Sequence, residues 1–237
     1  MRLSNKSSMG QHPEHHGACV ARSRSTQGRR SLDLAAVVVT LVAACLPLPA
    51  QVQALTRPVN LATLARRAEV IVQGRVAEAR YEPMPGYPNI RTVVVTLGVE
   101  RMLRGPAPTR SGSSTGARFT FRQYLGGMGT RRGGKGPYAS GQEVLLFLPG
   151  ESSAGLRSPL ALEQGHFTIR RGPAGEAYIA NQLANAGIFK NVPEAAQRAG
   201  LKLDSEQLRL AATPKGPVPL ARFMSLVEDL MTLPRNE

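Results

Sequence analysis

The chain has 237 residues with 30 Lys/Arg against 16 Asp/Glu, a net charge of +14, two cysteines and no tryptophan. Both cysteines fall before residue 46, so everything after them lacks thiol chemistry and disulfides and must fold by packing alone. The length allows about one core-forming domain beyond a leader.

Residues 34 to 46, LAAVVVTLVAACL, form an unbroken apolar run preceded by Arg22, Arg24, Arg29 and Arg30. Such a run is too short to span a bilayer and suits the hydrophobic region of a signal peptide. Pro47 and Pro49 follow, then Val52-Gln53-Ala54, which places signal-peptidase cleavage after Ala54, with Ala50 as the alternative. Residues 1 to 54 are thus expected to be a signal peptide with a long basic lead. Arg29-Arg30-Ser31-Leu32 resembles a twin-arginine export signal, followed by the acidic Asp33. Val42-Ala43-Ala44-Cys45 resembles a lipobox, in which Cys45 would be acylated and become the new N-terminus. The expected destination is the periplasm or the medium. An envelope lipoprotein anchored at Cys45 is the alternative, and the membrane is a partner only in that form.

Loss of residues 1 to 54 removes six basic and two acidic residues and leaves 24 against 14, a net charge of +10. A basic surface attracts anionic partners, but arginine outnumbers lysine 25 to 5 and the arginines are dispersed. The densest cluster is Arg131, Arg132 and Lys135, in a glycine-rich loop. These three are the candidate site for an anionic lipid or polysaccharide.

Asn60 is placed to cap a short helix in which Leu61, Leu64, Ala65 and Ala68 recur at helical spacing. The period changes at Glu69. Val70, Val72 and Val76 then alternate with Ile71, Gln73 and Arg75, and Gly74 predicts a bulge or sharp bend. After the turn-rich MPGYPN, residues 90 to 103 form the strongest strand, with Val93, Val95, Leu97 and Val99 on one face and Thr92, Thr96 and Glu100 on the other. Arg104-Gly105-Pro106 ends it. In the next strand, 118 to 124, Phe119 and Phe121 oppose Arg118, Thr120 and Arg122. Residues 125 to 141 are too glycine-rich to pack and are expected to be a long mobile loop. Val144-Leu145-Leu146-Phe147-Leu148 is a continuous apolar run, hence a strand buried on both faces. Shorter strands are expected at 160 to 162, 166 to 170 and 177 to 179. Helices are expected at 194 to 199, 205 to 211 and 219 to 231, the last with a stripe of Leu220, Phe223, Met224, Val227 and Leu230.

This order predicts a mainly β domain with flanking α-helices: a small curled antiparallel β-barrel of OB-like type over residues 55 to 182, with a C-terminal helical segment, 183 to 237, packed on it. An open β-sandwich is the alternative. ARRAEVIVQGRVAEA, TVVVTLGVERMLRG, GQEVLLFL and QGHFTI, spanning residues 61 to 169, resemble the shared plan of a broad set of uncharacterised exported bacterial proteins. More remotely, the same order resembles the netrin-like module of the tissue inhibitors of metalloproteinases. That resemblance implies an OB-type barrel. The inhibitors act through an N-terminal Cys on the protease zinc, and here no Cys lies beyond position 45.

The residues for catalysis are sparse. His166 is the only histidine after residue 54, no Gly-x-Ser-x-Gly elbow accompanies it, and it is expected at the strand surface or satisfied locally. Zinc-ligand spacings are missing, and LGGMG and RRGGKG lack the spacing of a phosphate-binding loop. Glu69, Glu78, Glu100 and Glu143 fall in or beside strands, where solvent-facing positions explain them. Nucleic acid is disfavoured, because Phe119 and Phe121 sit opposite the arginines as core and only Tyr124 joins the arginine face. The expectation is a non-enzymatic exported module with no cofactor and a protein or glycan partner. The alternatives are a protease-inhibitor-like barrel and a basic binder of anionic lipid or polysaccharide.

Overall fold

The computed structural model describes residues 58 to 110, 116 to 126 and 136 to 235. Ala54, Cys45, Arg131, Arg132 and Lys135 lie outside these residues, as do all of residues 1 to 57. The described chain is mainly antiparallel β with four helices, as the alternating periods predict. In chain order the elements are α1 (Leu61–Arg67), β1 (Val70–Met84), β2 (Tyr87–Arg104), β3 (Thr109–Arg110), β4 (Ala117–Tyr124), β5 (Glu143–Leu148), β6 (His166–Arg171) and β7 (Ala177–Asn181). Then follow α2 (Val192–Arg198), α3 (Ser205–Ala211), β8 (Val218–Pro219) and α4 (Leu220–Leu230).

All eight strands belong to one sheet, ordered β3-β4-β2-β1-β5-β6-β7-β8, whose ladder does not close on itself. Its two end strands are only two residues long, and one carries Pro219, which cannot donate to a further strand. β1 is the long shared strand: it pairs with β2 along nearly all its length and with β5 over Val70 to Arg75. At Gly74 the register with β2 shifts, and a Cβ there would lie 2.4 Å from the Gly98 carbonyl oxygen. The bulge anticipated at this glycine is therefore a place where two backbones come too close for any side chain. On the far side of the curl, the Arg157 amide donates to the Arg122 carbonyl at 2.8 Å, so the β5–β6 connection reaches back to the outer edge of β4.

Strict alternation divides the side chains into two cores, one on each face of the sheet. The curled inner face gathers Val70, Val72, Val76, Val93, Val95, Leu97, Phe119, Phe121, Val144, Leu146 and Leu148. The other face gathers Ile71, Leu145, Phe147, Phe167, Ile169 and Ile179 under α1 and α4. All six residues of β5 are buried, because it contributes to both cores. On α4 the anticipated stripe is found: Phe223, Met224, Val227 and Leu230 are buried, Leu220 is half-buried, and Leu226 joins them. Phe223 packs its ring 5.0 Å from Phe167 and 6.2 Å from Phe189, tying helix, sheet and turn together.

Four expectations need correction. The strands β1 and β2 run through MPGYPN, leaving only Pro85 and Gly86 (φ 78°) as a two-residue turn, because proline at the first and a left-handed glycine at the second central position close a hairpin by themselves. Residues 160 to 162 are a turn with Ala161 and Leu162 both left-handed (φ 49° and 54°). Within the glycine-rich stretch, Tyr138 is 4% exposed and packed in the inner core. Finally, the last helix begins at Leu220, one residue after Pro219.

Candidate functional site

Residues that looked like chemistry or motif turn out to hold the fold. His166 lies on β6 but is only 4% exposed, with its ring stacked 4.8 Å from Tyr138 at an interplanar angle of 16°. The expected place at the strand surface is thereby overturned: the ring is packed inside the protein. Tyr138 donates its hydroxyl to Gln123 at 2.7 Å and meets Phe121 edge-on at 5.9 Å. Burial pushes the Tyr138 phenol well above its ordinary range, with the neighbouring Tyr81 adding to the shift. This group is a polar layer inside the curl, held by aromatic stacking.

Leu103-Arg104-Gly105 has an equally structural explanation. The Arg104 guanidinium donates to the carbonyls of Ala65 (2.6 Å) and Ala68 (2.9 Å) at the end of α1 and to Met231 (3.1 Å) at the end of α4. One side chain thus caps two helix C-termini whose last carbonyls have no partner within the helix. Gly105 (φ 131°) follows, where a Cβ would crowd Val70 at 3.2 Å. Glu143, expected at a solvent-facing position, is only 8% exposed and forms ion pairs with Arg75 and with Arg171 (3.0 Å). The same pairing, chiefly the hydrogen bond to Glu143, raises the Arg171 guanidinium above its ordinary value.

The outer face of β2 and β4 is polar and paired. Arg122 reaches Glu82 at 2.7 Å and the Thr92 hydroxyl at 2.9 Å, Thr96 and Thr120 share a hydrogen bond of 3.2 Å, and Tyr124 is half exposed among them. The anticipated arginine face therefore exists, with its charge partly answered by Glu78 and Glu82.

A concavity of about 310 Å³ lies elsewhere, at the start of α1. Its floor is built by long-range hydrogen bonds: Val59 N to Gln164 Oε1 (2.8 Å), Leu61 N to the Ile188 carbonyl (2.7 Å) and Asn60 Nδ2 to the Lys190 carbonyl (2.9 Å). Asn60 also caps α1, its Oδ1 accepting from Thr63 N at 2.9 Å, so one side chain fixes both walls. The turn opposite is bent by Gly187 (φ 73°) and Asn191 (φ 58°). Apolar Pro58 and Val59 line the cleft with Thr63 and Asn191, while Arg67 and Lys190 supply its charge, and no acidic residue is among its lining. The volume stands at the lower end of the range of small-molecule sites. Sequence reasoning missed this place, because Arg67 and Lys190 belong to no common motif. The only signal was Asn60, read as a helix cap.

Among the described residues no group of three or more His, Cys, Asp or Glu could hold a metal ion, and no helix is long and apolar enough to cross a membrane. No protein-family model matches the chain, and no curated protein matches it either.

Proposed function

We propose that this chain is an exported, non-enzymatic binding module built on an OB-like curled sheet, which holds its protein or glycan partner at the cleft between α1 and the turn at 187 to 191. The observation that carries the reading is the cleft itself. It is a formed concavity outside both cores, framed by hydrogen bonds between segments more than 100 residues apart. Export is supported by the basic, apolar and small-residue order of residues 22 to 54. The OB-like description is supported by the long β1 shared between β2 and β5, the bend at Gly74, and the Arg157 contact to the edge of β4. A binding role without catalysis is supported by the fate of the reactive residues: His166 is stacked inside the curl and Glu143 is engaged by two arginines.

The test is site-specific photo-crosslinking in cells expressing the full-length chain. A photoreactive residue at Thr63, on the cleft, is expected to give a discrete adduct. The same residue at Thr120, on the outer sheet face, is expected to give none. Adducts at neither position, or equally at both, would overturn the assignment of the cleft.

A further inference from the structure

The geometry points to an oxyanion, a carboxylate or a phosphate, as the group this cleft receives between Arg67 and Lys190, with the uncharged remainder of the ligand resting on Pro58 and Val59. The inference rests on the reading of the cleft as the binding site and adds the chemistry of what enters it.

Charge makes the first argument. Among the described residues eight arginines form ion pairs with glutamates. Neither Arg67 nor Lys190 is one of the ion-paired cations, although both line the same concavity and no acid shares it. Both side chains are exposed at its rim, and an anion entering the cleft would be attracted by the two charges together.

The placement of the two cations makes the second. Arg67 is the last residue of α1, a helix pinned by Asn60 at its start and by Arg104 at its end. Lys190 has its carbonyl held by Asn60, so its backbone is fixed on the opposite wall. Both cations therefore start from ordered backbone, which reduces the ordering cost of binding. A guanidinium fork matches the two oxygens of a carboxylate or phosphate, and an ammonium supplies a compact charge beside it. Thr63 adds a hydroxyl and Asn191 an amide to the lining.

What the lining lacks narrows the class further. It offers no aromatic ring on which a flat ligand could stack, and no carboxylate to hold a cation. A volume of about 310 Å³ suits a small molecule or the end of a longer one.

The test is titration of the protein recovered from cells with two probes, inorganic phosphate and N-acetyl-alanine, followed by backbone amide NMR at low salt. N-acetyl-alanine amide serves as the uncharged control. Saturable shifts at residues 63 to 67 and 187 to 191 are expected with at least one anion, weakening as salt rises. They should be lost in the Arg67→Gln/Lys190→Gln double variant, while the amides of residues 144 to 148 keep their positions and report an intact fold. Response to phosphate alone identifies a phosphoryl ligand, and response to N-acetyl-alanine alone identifies a carboxylate end. Shifts with neither anion, equal shifts with the amide control, or undiminished shifts in the double variant would overturn the proposal. If the anions fail while the Thr63 adduct persists, the binding role stands and the ligand class falls. If the anions bind while the adduct is missing, the cleft takes an oxyanion and the protein or glycan partner assigned to it falls.

Discussion

The two faces of the single sheet are filled by opposite strategies. On the curled inner face the contacts come from strands that follow one another closely, and alternation alone assigns their side chains: Val93, Val95 and Leu97 meet Phe119 and Phe121 across a regular register. On the outer, helix-covered face, the sheet residues Phe147 and Phe167 are sealed by α1, by Ile188 and Phe189 of a turn, and by α4, segments drawn from opposite ends of the domain. A sheet can supply its own cover by curling, but the second face needs distant pieces, and those pieces need dedicated fasteners. Arg104 and Asn185 are two of them. Asn185 is fully buried and left-handed (φ 61°), and its Nδ2 donates to the carbonyls of Ile179 (3.0 Å) and Gly216 (2.9 Å).

Breaking the helix-covered face should have the largest effect. Phe223→Ala removes a fully buried ring that touches both Phe167 and Phe189, and is expected to cost about 3 to 5 kcal/mol in urea unfolding. Next comes the bend that lets the inner face curl. Gly74→Ala forces a methyl group against the Gly98 carbonyl and should cost roughly 2 to 3 kcal/mol, whereas Gly86→Ala at the open hairpin tip meets no atom within 4 Å and acts only through its positive φ. Equal losses at the two glycines would show that the close approach at Gly74 does not matter.

Arg104→Lys is expected to cost about 2 kcal/mol despite keeping the charge, since one ammonium cannot span carbonyls on two helices. Hydrogen exchange should then quicken at the ends of α1 and α4 together. Faster exchange at one end alone would deny the shared cap.

The smallest effect belongs to the polar layer inside the curl. Tyr138→Phe loses the hydrogen bond to Gln123 and should cost about 1 kcal/mol at neutral pH. Its larger consequence appears in alkali. Burial raises the Tyr138 phenol above the ordinary value of about 10, so the folded protein keeps this proton where the unfolded chain releases it. Stability therefore falls as pH rises above about 10. Tyr138→Phe is expected to flatten that decline in pH-dependent unfolding, and an unchanged slope would remove Tyr138 as its cause.

Much of this was legible in the residues. The period-two runs located β1, β2 and β4, the continuous apolar run located β5, and the helical stripe located α4, because a packed surface leaves its spacing in the sequence. Leu160-Ala161-Leu162 imitated a strand, since a short apolar run also fits a turn whose backbone is left-handed at Ala161 and Leu162. Tyr138 was hidden by its glycine neighbours: the loop composition was visible, but not that Gly136 lets the chain lie directly against Tyr81 and deliver the ring to the core. The role of Arg104 was illegible for a different reason. The carbonyls it serves are backbone atoms, which carry no residue-type signal. For the same reason the cleft could not be read, because Arg67 and Lys190 come to one concavity through hydrogen bonds of Asn60 and Leu61 to backbone carbonyls of the far turn.

The central claim is that the curl is packed for stability while binding takes place outside it. Its most direct test is the yield of the Thr63 photo-crosslink in cells, compared between Tyr138→Phe and Arg67→Gln/Lys190→Gln at matched protein levels. The account predicts an adduct retained in the first and lost in the second. Loss in the tyrosine variant with retention in the double variant would contradict it and move the site into the curl.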